Sequence, residues 1–325
     1  MPASKETLLD PTFLKKLEHL RIQARRAFPG TMRGERRSTR RGVSVEFRDF
    51  RKYEVGDDFR HVDWSIFARL ERLMLRQFVE EEDVRIDILI DQSRSMQFGQ
   101  PLTKFDVARR IAAALAFLAV GSLDRVSVAT FDSELRSRTR ALRGRAHLQS
   151  VLSFLESLGH QVTKSESIND DNTEEHGSSS ETEPQVGTQS PTNIGSVIRR
   201  YQRSTVKSGI VFLISDFLDE RNFRLELKLL SQRGFDLNLI QVLTSEELEP
   251  TLRGDLALVD SENGAVRDVS LSERLLASYR HALGEYTKSL ETFCRGAGIG
   301  YTITRVDVSF EDVLLRELVR VRMAE

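Results

Sequence analysis

VRIDILIDQSRS, residues 84–95, decides how this chain folds. Val84, Ile86, Ile88 and Ile90 recur at every second position, the period of a strand, and the apolar run stops at Asp91, where short polar residues take over. A turn follows through DQSRSMQFGQP, residues 91–101. Thr103 and Asp106 are then spaced as the N-terminal box of a helix, and Phe105, Ala108, Ala112, Leu115 and Leu118 continue at helical spacing to Gly121.

Working downstream, the same alternation repeats. VSVATF at Val126 to Phe131 is a strand, Ala146 to Leu158 a helix, and Asn193 to Arg203 a short helix. IVFLIS at Ile210 to Ser215 is a continuous apolar strand, Asn222 to Gln232 a helix, and DLNLIQVL another strand. A longer helix carries Leu275, Tyr279, Leu283, Tyr286, Leu290 and Phe293 and closes at Gly296 and Gly298. IGYTIT is a last strand, and Phe310, Leu314, Leu318 and Val321 mark a last helix. Apolar strands alternating with helices predict an α/β fold with a doubly wound, mostly parallel sheet covered on both faces. Binding sites in such sheets form at the carboxyl ends of the strands.

Upstream, Val45 to Val79 mixes aromatic and charged residues without a helical period, which reads as turns and short strands in a small β-rich subdomain. Before it, Arg25, Arg26, Arg33, Arg36, Arg37, Arg40 and Arg41 crowd a loop broken by Pro29, Gly30, Gly34 and Gly42. The predicted division is therefore residues 1–83 for an N-terminal helix, basic loop and β-rich subdomain, and 84–245 for the α/β domain. Residues 246–325 form a C-terminal α/β extension packed on the same core. Residues 163–190, TKSESINDDNTEEHGSSSETEPQVGTQS, lose nearly all large apolar side chains and read as a disordered acidic insert that the core tolerates losing.

Composition narrows the function. The 325 residues are 39% hydrophobic and 30% charged, and 48 Lys plus Arg against 49 Asp plus Glu leave a formal net charge of −1. That balance gives no global pull toward nucleic acid or an anionic membrane, so any electrostatic function is local. Six scattered histidines form no metal-ligand spacing, and the single Cys294 reads as a packing residue of a cytoplasmic protein. Charges through Met1–Leu20 argue against a secretion signal, and the longest apolar run, Ile111–Val120, is half of the roughly 20 residues a membrane span needs.

Chemistry concentrates where three predicted strands end: Asp91, Ser93 and Ser95 in DQSRS, Thr192 in PTNIG, and Asp216 in LISDF. Alternate residues of an extended DxSxS turn can point the same way, so Asp91, Ser93 and Ser95 can converge, while Thr192 and Asp216 arrive from neighbouring loops. An all-oxygen set with two carboxylates suits a hard divalent cation, Mg2+ first and Mn2+ as the alternative. Such an ion would retain appetite for one more anionic oxygen.

With these residues in place, the chain resembles the von Willebrand factor A-like domains, whose metal-ion-dependent adhesion site has the form DxSxS, then Thr, then Asp. The likeness covers roughly Val84 to Leu243, and all five positions match. Upstream, FRDFRKYEVGDDFRHVDWSIFAR is similar to the signature of the domain-of-unknown-function-58 family through Arg51, Tyr53, Gly56, Asp57, Arg60, Asp63, Trp64, Ala68 and Arg69, with Phe67 where a small hydroxyl residue is expected. The resemblance implies a bacterial or archaeal adaptor or scaffold working beside a MoxR-type AAA+ ATPase. Within this stretch, Arg51 or Arg60 is expected to pair with Asp57 or Asp63 as a structural clamp at a domain junction, with Tyr53 and Trp64 as apolar anchors.

The expected function is thus non-enzymatic: Mg2+ held by Asp91, Ser93, Ser95, Thr192 and Asp216 is presented to an Asp or Glu of a protein partner. Enzymatic readings lack their motifs. A haloacid-dehalogenase-type phosphatase needs an aspartate where Ser93 stands, and the phosphate-cradling GxxxxGK[ST] and the hydrolase elbow GxSxG are missing. Two rivals stay open, a metal-dependent phosphoester hydrolase and a nucleic-acid-binding regulator using the arginine loop.

Overall fold

The computed structural model describes residues 15–16, 18–19, 46–54, 57–79, 85–121, 125–167, 192–205, 208–219, 221–260, 264–309 and 312–313. The arginine loop, residues 168–190 of the acidic insert and nearly all of the last expected helix lie outside them. Two compact units divide the chain, Phe28–Val84 and a larger one built from Met1–Ala27 with Arg85–Glu325.

In the smaller unit, strand β1 (Glu46–Lys52) pairs antiparallel with β2 (Met74–Val79), with a register shift between Phe47 and Asp49. Helix α1 (Trp64–Leu70) begins where the Asp63 carboxylate accepts from Ser65 N and Ile66 N, and ends at Glu71 in a left-handed conformation. Arg51 grips Asp57 through two bonds of 2.8 and 2.5 Å. This is one of the expected pairs, and both partners lie inside the unit Phe28–Val84. Asp63 caps a helix, and Arg60 approaches the exposed Asp58 at 4.0 Å. Trp64 is no anchor: at the first position of α1 it is 60% exposed, with its ring edge-on to Phe67. Tyr53 does stack, on Phe59. Among the described residues this unit holds two strands, a 3-10 turn over Phe59–His61 and one helix.

The larger unit holds a six-stranded sheet, made of β3 (Arg85–Asp91), β4 (Arg125–Phe131), β5 (Leu135–Arg138), β6 (Ile210–Ser215), β7 (Asp236–Leu243) and β10 (Gly300–Arg305). Their order is β10-β7-β6-β3-β4-β5, parallel throughout except for the short edge strand β5. The mostly parallel α/β sheet is as expected. Residues 246–325 supply β10 to it and add an antiparallel hairpin, β8 (Gly254–Val259) with β9 (Val266–Leu271), that hydrophobic patterning had not marked because most of its side chains face solvent.

Helices α2 (Lys104–Gly121) and α3 (Arg145–Ser167) connect the first strands, and α4 (Ile194–Ser204), α5 (Arg224–Gln232), the single turn α6 (Ser245–Leu248) and α7 (Glu273–Gly296) follow. Ala108, Ile111, Ala112, Ala113, Ala114 and Ala116 of α2 are wholly buried, so α2 is apolar on nearly every side. Opposite, Val197, Tyr201, Leu227 and Leu290 pack with Leu89, Phe131, Leu213 and Leu239 in one cluster, joined by the buried side chain of Cys294. Burying each such aliphatic side chain contributes roughly 1.5–3 kcal/mol. Helix α3 runs on to Ser167, past the expected end at Leu158 and into the first five residues of the acidic insert, because once nucleated a helix adds a bond per residue and no Pro or Gly interrupts Gln161–Ser167. Among the described residues no helix is long and apolar enough to cross a membrane.

Candidate metal site at the carboxyl end of the sheet

Chain order reverses at β3, whose neighbours are β4 on one side and β6 on the other. Crevices at such switch points, outside the carboxyl ends of the strands, are where open α/β sheets bind ligands. The parallel register sets Ile90 against Ile214, which places Asp91 beside Ser215. Ser215 Oγ donates to Asp91 Oδ2 at 2.6 Å, and Ser93 N donates to Asp91 Oδ1 at 2.9 Å. A 3-10 turn over Arg94–Gln97 folds the DxSxS segment back so that the Ser93 and Ser95 hydroxyl oxygens stand 3.1 Å apart.

Asp216 leaves β6 on a loop held from several directions. Its carbonyl accepts from Gln241 Nε2 at 2.7 Å, and Tyr301 in turn donates its hydroxyl to Gln241 Oε1 at 2.5 Å. Phe217 follows with φ 54, a left-handed conformation that is costly for a bulky side chain. Complete burial of its ring, its N–H bond to Ser215 Oγ at 3.0 Å and the Tyr286 hydroxyl donating to its carbonyl hold it there. The Asp216 carboxylate is thereby turned back toward the site, where Oδ1 accepts from Leu218 N at 3.2 Å.

Asp91 is completely buried, and burial together with the charge of Asp216 pushes its pKa up to about 7, against the opposing bonds from Ser215 and Ser93. Two buried carboxylates thus lie close enough for their charges to oppose each other. Partial relief comes from Lys104, whose Nζ donates to Asp216 Oδ2 at 2.8 Å and to Glu247 Oε1 at 2.5 Å. Burial alone would lower the Lys104 pKa, but the charges of Asp216 and Glu247 and the bonds to them outweigh it, and the group sits above its ordinary value.

Lys104, Glu247, Gln241 and Ser215 were not read from the sequence. Signals existed for two of them. A lysine in the first turn of a helix opposes the dipole and asks for compensation, and Gln241 interrupts an otherwise apolar strand.

Four of the expected ligands are tied to this place: Asp91, Ser93 and Ser95 by direct bonds, Asp216 by its charge on Asp91. Thr192 is half-buried just ahead of Asn193, which caps α4 by accepting from Ser196 N. The next residue, Ile194, donates its N–H to Asp219 Oδ2 at 3.0 Å, so the start of α4 is fastened to the loop that carries Asp216.

Two buried carboxylates, clustered hydroxyls and the absence of any need for sulfur or imidazole fit a hard divalent cation. Among the described residues no three His, Cys, Asp or Glu side chains form a metal-holding group. An ion here would therefore complete its shell from hydroxyls, water or an outside oxygen. Beside the site opens a cavity of about 810 Å³ lined by Phe98, Glu247, Leu252, Leu258, Leu275 and Tyr279 among others.

Comparisons with known proteins add the following. The family model described as protein of unknown function DUF58 matches residues 49–288. An uncharacterized protein of Mycobacterium tuberculosis strain H37Rv is 25% identical over 299 residues, covering 92% of this chain and 86% of that one, and the same figures hold for an uncharacterized protein of Mycobacterium bovis. Among solved structures, the conserved hypothetical protein BatB from Bacteroides thetaiotaomicron is similar with a TM-score of 0.40 and 17% identity, covering 74% of this chain and 99% of that one. An aerotolerance-related membrane protein from Bacteroides fragilis gives 0.40 and 19%, covering 73% and 99%.

Proposed function

We propose that this chain, which belongs to the DUF58 family, is a metal-dependent protein-docking module. Its sheet is read as a von Willebrand factor A-like domain in which Asp91, Ser93, Ser95, Thr192 and Asp216 hold Mg2+, or Mn2+ in its place. The bound ion would supply a site of positive charge able to accept a carboxylate from a partner. The partner class that the family resemblance suggests is a MoxR-type AAA+ ATPase, and the role is that of an adaptor rather than an enzyme.

One observation carries the reading. Asp91, held by Ser215 and Ser93 at the end of β3, lies within reach of the charge of Asp216 at the end of β6. Burying like charges is unfavourable unless a cation compensates. Lys104 pairs with Asp216 and Glu247; with Asp91 counted beside them, one positive charge stands among three carboxylates, and the formal charge is two units negative when all are ionised, the charge a divalent ion would cancel.

The test is affinity capture of partners from native lysate, in Mg2+ and in EDTA, with wild type and Asp91→Ala. Partners released by chelator and missing from Asp91→Ala are expected. Equal capture in all four conditions rejects the docking mechanism. A parallel phosphoester screen in Mg2+ or Mn2+, with turnover lost in Asp91→Ala, would favour the hydrolase instead.

A further inference from the structure

Lys104 is wholly buried at the start of α2 and joins residues 112 and 143 positions away. A buried ammonium is costly unless well paired, and the helix N-terminus adds repulsion. Here Nζ is shared between two carboxylates with different duties: Asp216 belongs to the candidate metal site, whereas Glu247 belongs to the turn α6. Glu247 is anchored independently, its Oε2 accepting from Thr244 N at 2.8 Å in a reciprocal capping box.

We propose that Lys104 is a resident counter-ion that competes with a divalent cation for Asp216, setting how tightly the site takes metal, with Glu247 as the carboxylate that keeps the ammonium when the ion enters. The inference rests on the reading of Asp91 and Asp216 as metal ligands. Without metal, Lys104 neutralises Asp216 and lets the two-carboxylate crevice fold. The Asp216 carboxylate that Lys104 holds is the one that would also hold a divalent ion, and the ammonium would then keep Glu247, already fixed in place by Thr244. Metal entry thus trades one ion pair for another without leaving a buried cation bare. Because Glu247 also lines the neighbouring 810 Å³ cavity, the exchange bears directly on the wall of that cavity.

The competition makes two predictions of opposite sign. Lys104→Met keeps an unbranched chain but removes the competitor, so Mn2+ should bind about tenfold tighter or more. Glu247→Gln keeps a capping acceptor but leaves the ammonium a single anion, so Lys104 should hold Asp216 harder and Mn2+ should bind several-fold weaker. A lysine that merely braces Asp216 predicts the reverse for Lys104→Met, since freeing the loop would scatter a ligand.

Isothermal titration of the full chain with Mn2+, checked by the paramagnetic resonance signal of free Mn2+, measures all three proteins. Tighter binding in Lys104→Met with weaker binding in Glu247→Gln supports the competition. Wild type that binds Mn2+ while Lys104→Met gains nothing overturns it and leaves the metal reading standing. Lack of uptake by both wild type and Lys104→Met removes the metal reading and this inference together. Should Lys104→Met fail to fold, Glu247→Gln decides: weaker binding supports competition, and unchanged or tighter binding overturns it.

Discussion

The Ser215 hydroxyl reaches across from β6 to donate to Asp91 Oδ2 at 2.6 Å, and its own oxygen accepts the N–H of Phe217 at 3.0 Å. One side chain therefore fixes both the carboxylate at the end of β3 and the strained residue beyond Asp216. Ser215→Ala should lower stability by about 1.5–3 kcal/mol near pH 8, the range for a lost bond to a charged group. Near pH 6 the loss should be smaller, because a protonated Asp91 needs the donor less. Denaturant unfolding at both pH values checks this, and an equal loss at each would place the effect in packing instead.

Protonation of Asp91 gives a pH dependence whose sign is fixed. Its ordinary value is 3.8, and burial and Asp216 raise it to about 7 in the folded chain. A group raised on folding binds more protons when folded, so its contribution is full below the ordinary value and is lost as pH rises through about 7. Metal-free protein should therefore melt at a lower temperature at about pH 8 than at about pH 6. Millimolar Mg2+ should help more at the higher pH, where no proton occupies the carboxylate. Melting curves of Asp91→Asn should lose both trends; their survival would point to a different titrating group.

Tyr286 holds the backbone of Phe217 by donating to its carbonyl, and Phe217 holds Asp216 in place. Tyr286→Phe should cost about 1 kcal/mol, the net value of one hydrogen bond, and should weaken Mn2+ binding because the left-handed turn is no longer secured. Phe217→Gly removes the backbone strain but empties a fully buried aromatic site, and cavity terms of about 3–5 kcal/mol exceed the strain of about 1–3 kcal/mol relieved. It should be the less stable of the two in chemical denaturation. Wild-type Mn2+ affinity in Tyr286→Phe would show that the turn holds itself.

How much of this was legible in the sequence follows from the physics of each element. Strands such as Ile210–Ser215 and Asp236–Leu243 are buried on both faces, so their apolar runs mark their ends to the residue. The hairpin of β8 and β9 left no such trace because Val259 and Val266 face solvent, 64% and 61% exposed. At the site, Asp91, Ser93, Ser95 and Asp216 were visible since polar residues follow directly on apolar strands. Lys104 and Glu247 were not, because their meaning lies in contacts over more than a hundred residues, which spacing cannot reveal. Trp64 misled for the converse reason: size suggests burial, yet its place beside the Asp63 cap leaves it in water.

A further buried carboxylate, Asp87, supplies the control. Asp87 lies four residues before Asp91 on β3, about 13 Å away along an extended strand, and accepts from Tyr201 Oη at 2.5 Å, Ser127 Oγ at 2.6 Å and Arg85 Nε at 2.7 Å. Burial pushes its pKa up, but the bonds from Arg85, Ser127 and Tyr201 outweigh that and leave it below the ordinary 3.8. A carboxylate lowered on folding stabilises above its ordinary value, and that contribution is lost as pH falls through the lowered one. Asp87→Asn should therefore cost about 3 kcal/mol or more near neutral pH, leaving Arg85 and Arg138 without their shared anion, and should blunt the acid unfolding of the chain below about pH 4. Tyr201→Phe should cost about 1.5–3 kcal/mol. Both variants should nevertheless bind Mn2+ as wild type does, because this network belongs to the opposite end of the strand. If either weakens Mn2+ binding as Tyr286→Phe is expected to, the two carboxylate clusters act as one electrostatic unit, and the separation of folding from metal binding along β3 fails.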